Sequence, residues 1–173
     1  MDDKNAEFER KREENHIKAT EHNLKLLSKY PSIKVIGVQD IKVLDYMPSP
    51  KNSPDAWTKL DEIITNDKIK VSEWVISILK QQKVTGNYLL QFDDMGVPGS
   101  RSWINVYITE NYDWVTPIFI NCSCFNLWNF DEHYLLEFGA EEEWCVYKAK
   151  MLARPRPWQG PDSDWTRTGE YGE

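Results

Sequence analysis

The spacing of apolar residues changes part-way along this chain. Residues 4–29 contain neither Gly nor Pro, and an apolar face emerges only from Ile17 through Leu24, Leu26 and Leu27. This predicts a first helix whose opening residues, 1–14, are frayed or solvent-borne, with docking confined to the last three turns. Pro31 ends that helix by disfavouring the helical conformation at Tyr30. "IKVIGVQDIKVLDY" (33–46) sets β-branched residues against lysines, which predicts one strand or two short ones. "MPSPKNSP" (47–54) reads as a loop closing on a helix start. Ser53 is placed to cap, Pro54 fits the first helical position and Asp55 suits the positive end of the dipole. Trp57, Leu60, Ile63 and Ile64 then predict a helix that runs to Asn66, and Trp74, Val75, Ile78 and Leu79 predict a further one over 72–82.

Beyond this point the period falls from 3.6 to 2. "NYLLQF" (87–92), "SWINVYIT" (102–109), "WVTPIFIN" (114–121), "HYLLEF" (133–138) and "WCVYKAKML" (144–152) predict strands, with Pro117 marking an edge or a bulge. The links "DDMGVPGS" and "ENYD" are turn chemistry short enough for antiparallel hairpins. Helices first and strands later imply an α+β fold: N-terminal helices packed on a mainly antiparallel, meandering sheet, in a single domain over 1–152. Residues 153–173 are rich in Pro and Gly and read as an irregular tail, which Trp158 and Trp165 would anchor if it folds back. No internal repeat is visible.

Composition narrows the class of molecule. A chain of 173 residues with 40% hydrophobic and 13% aromatic content is built to bury a core. No apolar run approaches the ~20 residues of a membrane helix, and the charged start has no apolar segment behind it, so a soluble cytoplasmic protein is expected. Cys122, Cys124 and Cys145 make an odd count, which argues for reduced thiols rather than a disulfide framework. The net charge of −7, from 28 acids and 21 basic residues, argues against direct contact with a phosphate backbone and suits a basic partner or simple solubility. The eight tryptophans are more than one core readily hides.

Candidate chemistry is sparse. Cys122, Cys124, His133 and Cys145 are four soft ligands, but the one-residue spacing of the first pair is not that of a zinc knuckle, so no metal is expected. The paired acids Asp93/Asp94, Asp131/Glu132 and Glu141 to Glu143 lie in turns, where both members stay solvated, so no catalytic pair and no cofactor are expected. A phosphate-binding glycine loop, a nucleophile elbow and a zinc-protease helix are all missing from the sequence.

Two features point to a docking surface. On strand 102–109, Ile104, Val106 and Ile108 face one way while Trp103, Asn105 and Tyr107 face the other. The second set forms either an adhesive Trp/Tyr stripe or a face covered by the tail or the first helix. In "NFDEHYLLEFGAEEEW" (129–144), six acids gather around aromatics with no Lys or Arg among them. The residues expected to meet a partner are therefore Asp131, Glu132, Glu141, Glu142 and Glu143, which would steer and pair, and Trp103, Tyr107 and Trp144, which would bury on contact. Together they suggest a non-enzymatic inhibitor of a basic protein, of the intracellular immunity type that neutralises a nuclease-type toxin. The alternatives are an acidic nucleic-acid mimic that blocks a defence nuclease, and a small enzyme or ligand-binding domain whose site assembles only on folding.

Overall fold

In the computed structural model, described for residues 3–39, 57–92, 103–121, 124–129, 134–141 and 145–153, the apolar residues of both halves of the chain meet across one antiparallel sheet. The elements are α1 (Asp3–Leu27), β1 (Ile33–Gln39), β2 (Trp57–Ile64), α2 (Lys68–Gln81), β3 (Gly86–Phe92), β4 (Trp103–Ile108), α3 (Val115–Asn121), β5 (Phe125–Asn129), β6 (Tyr134–Ala140) and β7 (Val146–Ala153). The seven strands lie in the order β1-β4-β3-β5-β6-β7-β2. The α+β class holds. The meander is real for β5, β6 and β7, whereas β1 and β2 sit at opposite edges.

One face of the sheet carries the main core. Tyr88, Leu90 and Phe92 of β3, Ile104, Val106 and Ile108 of β4, and Tyr147 and Ala149 of β7 pack with α2 and α3 residues. The period-two row Ile104, Val106 and Ile108 foreseen for β4 is the row that faces inward. From α2 come Val71, Val75, Ile78 and Leu79, the i, i+4, i+7, i+8 stripe of an amphipathic helix. Asp67 caps this helix through Oδ1, which accepts from the backbone N–H groups of Ile69 (2.9 Å) and Lys70 (3.3 Å). At the other end Val84 N–H donates to the Leu79 carbonyl (3.0 Å) and Lys83 N–H to that of Lys80 (3.1 Å). This is a Schellman closure in which Lys83, at φ 52°, holds the left-handed position usually given to Gly.

Helix α1 docks late in its length, but through buried Ala19, Asn23 and Leu27, four residues apart, with Leu24 and Leu26 only partly buried and Ile17 exposed. The chain is helical from Asp3, and the exposed residues 5–11 belong to the helix. Pairs at i, i+4 support it there: Lys11 with Glu7 (2.8 Å) and Arg10 with Glu14 (2.6 Å).

Two expectations about elements are overturned, and one strand was not foreseen. Residues 57–64 form strand β2, not a helix, and the cause is a bulge between Lys59 and Asp61. The extra residue lets Leu60 and Ile63, three apart, both pack on the main core, so the strand imitates a helical spacing. Residues 115–121 form α3, not a strand. Val115, Ile118 and Phe119 are buried at i, i+3, i+4, and Pro117 falls in the first turn, where no N–H is needed. Strand β5 was not foreseen at all; it is only five residues long and alternates Phe125 and Leu127 with Asn126 and Trp128.

Both edges of the sheet are blunted. β1 is bulged between Val35 and Gly37, and β2 is bulged and exposes Lys59, Asp61 and Glu62. Polar ties close the main core: Tyr88 and Tyr134 share a hydroxyl hydrogen bond (2.6 Å), and the Tyr112 hydroxyl donates to the Val84 carbonyl (2.9 Å). Among the described residues, no helix is long and apolar enough to cross a membrane.

Candidate docking surface

The second face of the sheet divides into an apolar row and a charged ladder. Strand register sets Leu89, Trp128, Leu135, Leu152 and Trp57 side by side across β3, β5, β6, β7 and β2. Trp103 joins this row edge-on to Trp128, with ring centroids 6.0 Å apart at 67°. Together they form a second hydrophobic cluster, separate from the main core.

Of the two readings of the β4 face, a Trp/Tyr stripe or a covered face, burial fits the second for all but Tyr107. Trp103 is 4% exposed and Asn105 8%, whereas Tyr107 is 47% exposed. Of the stripe, Tyr107 alone reaches the surface. It lies between Lys34 of β1 and Asn87 of β3 in the register.

Beside the apolar row, the register continues as Gln91, Asn126, Glu137, Lys150 and Lys59. Asn126 Nδ2 donates to Gln91 Oε1 (3.2 Å). Lys150 lies 3.8 Å from Glu137 and 3.2 Å from Glu141, and Lys148 lies 3.4 Å from Glu141 and 3.9 Å from Glu62. Lys59 completes the ladder against Glu62 at 3.6 Å. Three lysines and three glutamates thus cancel on this face. Each contact is half-solvated, so it contributes only about 0.2–1 kcal/mol. Their larger effect is on register: a one-residue slip of β7 would carry Lys148 and Lys150 to the apolar side.

Glu141 is where this ladder meets the acidic segment. Its backbone N–H donates to the Val146 carbonyl (2.8 Å), which closes the β6–β7 connection. Partial burial pushes its carboxyl up, but hydrogen bonds and charge from Lys150, and then from Lys148, outweigh that and hold it below its ordinary value. The acid was foreseen; its lysine partners were not. The signal lay in the sequence, since Lys148 and Lys150 share one strand face and Glu137 precedes them on the neighbouring strand.

Asp131, Glu132, Glu142, Glu143 and Trp144 lie outside the described residues, as do Asp93, Asp94, Cys122 and His133. The ends of β6 nevertheless bear on how the acids group. Because β6 runs from Tyr134 to Ala140, the connections carrying the two acidic sets leave it at opposite ends, about 20 Å apart at strand rise. Of the six acids, Asp131 and Glu132 therefore precede β6, Glu137 lies within it, and Glu141, Glu142 and Glu143 follow it. Cys124 and Cys145 are half-buried and are not joined in a disulfide. Among the described residues, no group of three or more His, Cys, Asp or Glu is placed to hold a metal ion. Comparison with protein-family models, with curated proteins and with solved structures finds no match to this chain.

Proposed function

We propose that this chain is a non-enzymatic, acidic protein-binding inhibitor, an intracellular immunity-type protein that neutralises a basic, nuclease-type toxin by direct contact. The observation that carries this reading is the distribution of charge. On the ladder face Lys59, Lys148 and Lys150 balance Glu62, Glu137 and Glu141. The net charge of −7 is therefore carried elsewhere, where it would attract a basic partner over long range. Exposed Tyr107 supplies an aromatic anchor of the kind that dominates interface energies. Buried Trp103 is dropped from the contact set, and Glu141, already flanked by two lysines, becomes a residue that shapes the surface. Steering then rests with Asp131, Glu132, Glu142 and Glu143, and Trp144 joins Tyr107 as an anchor. The alternation of Lys and Glu on the ladder face favours this reading over a nucleic-acid mimic, which needs an unbroken negative stripe.

The test is capture of the basic protein encoded beside this chain, followed by rates of association at two ionic strengths. Glu142→Lys with Glu143→Lys is expected to slow association about tenfold at low salt and to flatten its salt dependence. Tyr107→Ala is expected chiefly to speed dissociation. Capture of no basic partner, or equal rates for all variants, overturns the proposal.

A further inference from the structure

We draw no further inference here: the strongest candidate, the apolar row of Leu89, Trp103, Trp128, Leu135 and Leu152 on the second face of the sheet, carries nothing because no described residue shows what covers it.

Discussion

At the scale of single residues, Trp103 and Glu141 each take a role other than the one their sequence context suggests. Alternation along β4 correctly puts Trp103 and Tyr107 on the same face, but alternation says which residues share a face and not whether that face is covered. Burial at 4% makes Trp103 a packing residue, so Trp103→Ala is expected to cost about 3–5 kcal/mol in urea unfolding. Tyr107→Ala, at an exposed position, should leave the unfolding midpoint nearly unchanged. A Trp103→Ala variant of unaltered stability would show that the row does not support the fold. Glu141 has a pH signature. Its folded carboxyl lies below the ordinary 4.5, so the charged form favours the fold above that pH, and the contribution is lost as pH falls through the folded value. Glu141→Gln should therefore be less stable than the parent at neutral pH, and the two should converge well below pH 4.5. A gap that stays constant down the acid limb would mean that Lys148 and Lys150 are not holding the charge.

At the scale of elements, the misread segments are those where local geometry breaks the simple periods. α2 is legible because it has a polar cap and an uninterrupted apolar stripe, and its register survives even though it begins at Lys68, four residues before the predicted start. β2 is not legible because its bulge shifts the alternation, and α3 is not because its β-branched residues and Pro117 look like an edge strand. The C-terminal end of α2 offers a sharper test. Lys83 holds a left-handed conformation that costs an L side chain about 1–2 kcal/mol, while its N–H and that of Val84 close the helix. Lys83→Gly relieves that strain at the expense of a more flexible unfolded chain, so a net gain of about 0.5–1 kcal/mol is expected. Asp67→Ala at the opposite end should lose about 1 kcal/mol by freeing the N–H groups of Ile69 and Lys70. Thermal unfolding of the two single variants decides both. Loss of stability in Lys83→Gly would mean that the closure depends on the lysine side chain itself.

At the scale of the whole molecule, stability and charge reside in different places. The core lies between the sheet and the helices α2 and α3, and among the described residues α1 meets it through its last three turns, where Leu27 is fully buried. Among the described side chains in the first half of α1, residues 5–11, 14 and 15 are exposed, and Phe8 is 65% exposed. The helix there is held by surface pairs worth a few tenths of a kcal/mol each. Removal of residues 1–14 takes away six acids and four basic residues, so the net charge moves only from −7 to −5. The truncated chain is therefore expected to unfold within about 0.5 kcal/mol of the parent. Leu27→Ala, by contrast, opens a cavity where the helix enters the core and should cost about 2–5 kcal/mol. Denaturant midpoints for the two variants separate a helix that merely projects from one on which the fold depends. A drop in the truncated chain as large as that of Leu27→Ala would show that the exposed turns are packed in solution. With the proposed partner in hand, the same truncation should also leave the dissociation rate unchanged, because the anchor Tyr107 lies on the sheet and not on α1.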